Sequence, residues 1–222
     1  MAVSNDLPHA TMTAAYAGWA PVYDALCGPF FAQGRRAAAQ AARRAGRRIL
    51  ELGVGTGLSF ADYGPENEVF GIDISGPMIL KARQRLAAGS YPHVRDIRVM
   101  DAHALSYPDA WFDCVVAQFV VTLVADPEQV LSECARVLRP GGEIILVNHF
   151  YSERGAVAAI ERWSARYVGV IGLRPDFPLS RLRQWAERSG NIEFAGSEPV
   201  EPLRMFTVVR FRRPAAGLAA AS

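Results

Sequence analysis

The 222-residue chain contains a single lysine, Lys81, so nearly all of its positive charge is arginine. Its three cysteines, Cys27, Cys114 and Cys134, are odd in number and show neither metal-ligand nor redox spacing. That argues against a disulfide framework and a cysteine-based metal centre, and buried thiols in a reducing cytosol are expected. No metal is expected. No apolar run approaches the ~20 residues of a membrane-spanning helix. The N-terminus lacks the basic-then-apolar layout of a secretory signal. No internal repeat and no nucleophilic triad motif is visible. A single domain over residues 1–222 is expected, with one sizeable core.

The net charge of +2 conceals a division. Residues 1–48 carry six arginines against Asp6 and Asp24, net +4; residues 49–150 carry seven basic and thirteen acidic side chains, net −6; residues 151–222 carry eleven arginines and seven acids, net +4. Basic flanks around an acidic centre point to an anionic partner. Arginine's planar fork matches phosphate bidentately.

The most informative stretch runs from Ile49 to Gly57: an apolar strand, Ile-Leu-Glu-Leu, enters a turn with glycine at 53, 55 and 57. Glycine is needed where the backbone takes positive φ and closely approaches a ligand. A second strand, Val69–Ile74, ends at Asp73, about twenty residues on, where a nucleotide-binding βαβ unit grips a ribose hydroxyl pair. A third strand delivers Asp101-Ala102. The spacing is not the dinucleotide G-x-G-x-x-G, because Leu58 stands where its last glycine belongs. Glu51, two residues before Gly53, would oppose a pyrophosphate but suit a cationic ligand. The run E-L-G-x-G-x-G resembles the first motif of the class I S-adenosylmethionine-dependent methyltransferases. By that resemblance Asp73 is the ribose acid and Asp101 contacts the adenine amine.

Strands are predicted near 48–52, 69–73, 96–100, 112–118 and 143–149. Helices are predicted near 57–62, 76–87, 127–137 and 178–189, with Pro127 after Asp126 as a helix start and Pro140-Gly141-Gly142 as a stop. Strands alternating with helices imply a doubly wound α/β fold. Two last strands, near 191–197 and 205–212, are joined by too short a link for a crossover helix, so the last should run antiparallel. This is the Rossmann-like class I methyltransferase sheet of seven strands, order 3-2-1-4-5-7-6 with strand 7 antiparallel.

Residues 1–47 precede this unit and are expected to form an amphipathic lid or membrane-binding segment. Trp19, Tyr23, Phe30 and Phe31 would supply its apolar face, and Arg35, Arg36, Arg43, Arg44, Arg47 and Arg48 its charged face. Helices of that composition lie in the membrane interface, where anionic lipid adds ~1 kcal/mol per basic residue. A helix packed on the sheet with its arginines in water is the alternative. Tyr16, Trp19 and Tyr23 could form an aromatic wall, which suits sulfonium and quaternary ammonium groups.

Methyl transfer from a sulfonium needs alignment, exclusion of water and an unprotonated nucleophile, with no covalent intermediate. The acceptor should arrive between the ends of strands four and five. Strand four closes on Gln118-Phe119 without the Asn/Asp-Pro-Pro-Tyr/Phe of enzymes acting on amides and nucleobase amines. That argues against nucleic acid as partner, as does the lack of a nucleic-acid-binding motif. Strand five closes on Asn148-His149-Phe150-Tyr151, where His149 could take a proton or orient a phosphate. Arg204, between the last two strands, should reach the same rim as a phosphate ligand.

Tyr16-x-x-Trp-Ala-x-x-Tyr-Asp24, Gly34-Arg-Arg36, Glu51–Ser59, Gly71–Met78, Val115–Gln118, Leu138–Glu143 and Leu146–Asn148 resemble the soluble bacterial phosphatidylethanolamine N-methyltransferases. The resemblance runs from Thr13 to Arg213. It implies cofactor contacts from Tyr16, Tyr23, Glu51, Gly53, Gly55, Asp73, Ile74, Met78, Asp101, Ala102 and Gln118. Substrate contacts would come from Trp19, Asn148, His149, Tyr151 and Arg204, with Tyr16, His149 and Tyr151 as catalytic candidates. The expected cofactor is S-adenosyl-L-methionine, leaving as S-adenosyl-L-homocysteine. The expected activity is methylation of the ethanolamine head group toward phosphatidylcholine by a cytoplasmic, monomeric enzyme bound peripherally to the anionic inner face of the cytoplasmic membrane. The motifs in 49–143 are shared with ubiquinone/menaquinone C-methyltransferases, which remain an alternative. A non-catalytic S-adenosylmethionine-binding regulator is another. Glu51 and Leu58 argue against a nicotinamide-dependent oxidoreductase.

Overall fold

A computed structural model describes residues 28–149, 177–200 and 206–215. Helix α1 (Gly28–Ala45) leads into β1 (Arg48–Leu52) and a 3-10 turn (Leu58–Asp62). There follow β2 (Glu68–Asp73), α2 (Gly76–Ala88), β3 (Val94–Val99), β4 (Phe112–Gln118), α3 (Pro127–Val137) and β5 (Leu138–Asn148). The remaining elements are α4 (Leu179–Ser189), β6 (Glu193–Pro199) and β7 (Thr207–Arg212). The sheet order is 3-2-1-4-5-7-6, as expected. Strands β1 to β5 pair in parallel, and β7 runs antiparallel to both β5 and β6.

The sheet is covered on both faces, so its central strands are apolar almost throughout. Side chains alternate between the two sides. Leu50, Leu52 and Val115 join the core under α3 and α4 with Leu131, Leu182 and Phe211. Ile49, Val116 and Ile145 point the other way, onto Ala38 and Ala42 of α1. Glu51, in phase with Ile49, therefore falls on the α1 side.

Helix α3 starts as its sequence dictates: Pro127 occupies the first turn and Asp126 Oδ1 accepts from Gln129 N at 3.0 Å. Asp126→Ala should cost about 1 kcal/mol, readable as a melting temperature lower by about 2–4 °C.

Two elements differ from expectation. The helix near 57–62 is only a 3-10 turn, because Gly57 at φ 79° opens it and Gly64-Pro65 follow at once. Strand β5 begins at Leu138 rather than 143. Leu138 pairs with Phe112 and Glu143 with Cys114, while Pro140-Gly141-Gly142 bulge out between them. The bulge is stabilised from β7's end, since Gly141 N donates to Arg213 O at 2.8 Å and Arg213 N to Gly142 O at 3.0 Å.

Candidate active site

The carboxyl ends of β1, β2 and β4 enclose a cavity of about 320 Å³, where open parallel sheets bind ligands. Glu51, Gly53, Gly55, Asp73, Ile74, Met78, Asp101, Ala102 and Gln118, all expected from the sequence, line it.

The glycine turn has two distinct requirements. Gly53 sits at φ 65°, and a Cβ there would lie 2.2 Å from Cγ2 of Val120, just past the end of β4, so the turn admits no side chain at this point. Gly55, at φ 56°, faces open space, with nothing nearer to an added Cβ than Gly53 O at 4.0 Å. Its bare backbone is a surface on which a ligand can lie.

The Gly55 amide also donates to Asp73 Oδ2 at 2.9 Å, and the Ser75 amide donates to Asp73 Oδ1 at 2.8 Å. The carboxylate is thus fixed at both oxygens and keeps lone pairs for a hydroxyl pair. Burial pushes its pKa up, and the two amide bonds oppose that. Next to it, Ile74 is 54% exposed at a strand end. With Met78, Leu123 and Val124 it offers an apolar wall for a flat ring.

Asp101 Oδ1 accepts from the His103 amide at 2.9 Å and from His103 Nδ1 at 2.7 Å. His103 Nε2 accepts from Asp126 N at 3.4 Å, which makes Nδ1 the protonated nitrogen. His103 therefore ties the third motif to the start of α3.

Glu51 is 2% exposed. Its Oε2 accepts from Ser59 Oγ at 2.9 Å and from the Tyr63 hydroxyl at 2.8 Å, and Gln118 Nε2 donates to the Tyr63 oxygen at 3.3 Å. Burial pushes the Glu51 pKa up from 4.5 to about 7, against the pull of both hydroxyls. Asp62 raises it further and Arg35 lowers it. A buried carboxylate at a cavity wall is a site for a cation, since opposite charge restores what desolvation removes.

Tyr63 and Arg35 were not foreseen as site residues. Arg35, assigned to a charged membrane face, instead lines the cavity and donates from Nε to Asp62 Oδ2 at 2.7 Å. Arg43 likewise pairs with Glu66, and Arg47 with Glu68. Phe31, expected on the apolar face of this segment, is 7% exposed because α1 turns that face onto the sheet. Its ring meets Phe119 at 4.6 Å and Phe206 at 5.5 Å, and those two rings meet at 5.0 Å. Phe119 holds φ 61°, a conformation uncommon outside glycine. Its amide donates to Val147 O at 2.8 Å.

The end of β5 is arranged differently from expectation. Asn148 is 1% exposed and does not line the cavity. Its Nδ2 donates to Thr122 Oγ1 at 2.9 Å, while its Oδ1 has no partner among the described residues. His149 is half-buried and also lies outside the cavity lining. Tyr16, Trp19, Tyr23, Tyr151 and Arg204 lie outside the described residues. Among the described residues no group of His, Cys, Asp and Glu could hold a metal ion. None of the described helices is long and apolar enough to cross a membrane.

Comparison with known proteins agrees with this geometry. Residues 50–146 match the family described as a methyltransferase domain. The chain is 40% identical over 198 residues to the phosphatidylethanolamine N-methyltransferase of Cereibacter sphaeroides, covering 89% of this chain and 95% of that protein. It is 37% identical over 131 residues to the demethylmenaquinone methyltransferase of Thermus thermophilus, covering 58% of this chain and 59% of that one. An S-adenosylmethionine-dependent methyltransferase from Methanosarcina mazei superposes with a TM-score of 0.59 at 20% identity, over 79% of this chain and 96% of that chain. The cyclase SpnF superposes with a TM-score of 0.63 at 21% identity, over 77% of this chain and 75% of that chain. These two show the fold alone, and the fold alone does not fix the reaction.

Proposed function

Because the chain belongs to the class I S-adenosylmethionine-dependent methyltransferases, in the family of the phosphatidylethanolamine N-methyltransferase, we propose that it methylates the ethanolamine head group of phosphatidylethanolamine. The mono- and dimethyl forms are further acceptors, and phosphatidylcholine is the end product. The similarity to the lipid enzyme runs nearly the whole length of both chains, whereas the similarity to the quinone enzyme covers little over half of each. The observation that carries the donor assignment is one cavity holding both the buried Glu51 and the amide-held Asp73.

S-adenosylmethionine fits these residues and, when bound, supplies an electrophilic methyl carbon. Asp73 would hold the ribose hydroxyls, and Asp101 with Ala102, Ile74 and Met78 the adenine. Glu51 would meet the cationic methionine end, and Gly55 leaves the room. S-adenosylhomocysteine is the product. On the acceptor side, Tyr16, Trp19 and Tyr23 would close over the donor, and Arg204, Tyr151 and His149 would hold the phosphate. A free amine titrates at ~10 and must reach the methyl carbon unprotonated. Burial among aromatic side chains favours its neutral form, and a hydrogen-bonded route by way of His149 or Tyr16 would carry the released proton away to solvent. The enzyme would act as a monomer at the anionic cytoplasmic face of a membrane.

Purified protein with labelled donor should mark phosphatidylethanolamine in liposomes and leave demethylquinone liposomes unlabelled. Label in quinone only would instead make it a C-methyltransferase. Tight S-adenosylhomocysteine binding without transfer to any lipid extract would make it a regulator.

A further inference from the structure

We propose that the paired hydroxyls of Tyr63 and Ser59 set the pH at which the cavity accepts its cationic ligand, by fixing the charge of Glu51. Both donate to the same oxygen of one fully buried carboxylate. Tyr63 is itself held from the far side by Gln118, which comes from another strand. Neither Tyr63 nor its hydrogen-bonding geometry is needed to build the sheet; Phe would fill the same space. Ser59 and Tyr63 are positioning residues, since they act on the ligand through Glu51.

The groups facing Glu51 come from three neighbours. Arg35 reaches in from α1, Asp62 and the two hydroxyls come from the 3-10 turn and the residue after it, and Cys114 of β4 faces Tyr63. Arg35 is committed to Asp62 at 2.7 Å, so it does not neutralise Glu51 directly. Without ligand, burial holds the Glu51 pKa at about 7 even with both hydroxyls in place. Ligand uptake near neutrality must then release a proton from Glu51, and each hydroxyl lowers the pH at which this happens. A hydrogen bond to a charged group is strong enough to move that point by about one pH unit.

This inference rests on the donor assignment above, and the test separates the two. S-adenosylhomocysteine affinity is measured by calorimetry from pH 6 to 8 on the native chain, Tyr63→Phe and Ser59→Ala, each checked for folding by circular dichroism. The native affinity should rise with pH through a midpoint near 7. In Tyr63→Phe the midpoint should move up by about one unit, so the loss is about tenfold at pH 6 and shrinks to about twofold at pH 8. Ser59→Ala should shift it the same way. A merely structural role would weaken binding equally at every pH. Native-like midpoints in both folded variants, or a pH-independent loss, overturn the inference alone. A native chain that binds no S-adenosylhomocysteine overturns the donor assignment and the inference with it.

Discussion

At pH 8, Glu51→Gln is expected to melt about 6–12 °C above the native protein while losing its ligand. In the unfolded chain the carboxyl titrates at its ordinary 4.5, and in the fold at about 7. The fold therefore holds this proton more tightly, and stability falls as pH rises from 4.5 to 7. Above pH 7 the ionised, desolvated carboxylate costs about 3 kcal/mol, each pKa unit being about 1.36 kcal/mol. Glutamine removes the charge, keeps an acceptor for Ser59 and Tyr63, and relieves that cost. For a domain of this size 1 kcal/mol is worth about 2–4 °C. Below pH 4.5 the two proteins should melt together. Glu66, Glu128 and Glu133 have lowered pKa values through arginine pairing or backbone hydrogen bonds, and give the opposite slope in both proteins. The difference between the two melting curves cancels them. Thermal melts from pH 4 to 8 check this, and equal melting temperatures at pH 8 would refute it.

Asp73→Ala should weaken S-adenosylhomocysteine binding by a hundredfold or more. Two hydroxyls bound to one carboxylate contribute about 1.5–3 kcal/mol each, and together at least about 3 kcal/mol. The native carboxylate is already held by the Gly55 and Ser75 amides, so the ligand need not order it. Alanine also leaves those two amides without an acceptor, which loosens the turn where the ligand's sugar would lie. Calorimetry reads the affinity, and circular dichroism confirms the fold. A loss under fivefold would remove Asp73 from the ribose role.

The residues legible in the sequence are those whose role follows from local geometry. Asp73 closes β2, Gly53 and Gly55 follow β1 and Asp101 follows β3, and strand ends in this topology converge on one rim. Tyr63 was not legible because its bond to Glu51 depends on how a five-residue 3-10 turn folds back over β1. The Ala–Arg pattern of α1 fits either a bilayer or a sheet, and its apolar stripe lies on β4 and β5. A bilayer and a sheet ask the same alternation of a helix, so pattern alone could not separate them. Asn148 was read as polar and therefore functional. Its bond to Thr122 spans twenty-six positions in the chain, which no local signal announces.

The ring of Phe119 gives the molecule a lever. An added Cβ at Gly34 would come within 2.7 Å of the tip of that ring, and Phe119 also forms part of the cavity wall. A methyl group placed on the first helix would therefore be transmitted through one aromatic side chain into the ligand chamber. Gly34→Ala should therefore press on that wall while leaving Glu51, Asp73 and Asp101 as they are, and Phe206 and Val147, each 3.3 Å from the added Cβ, close off the ring's other ways out.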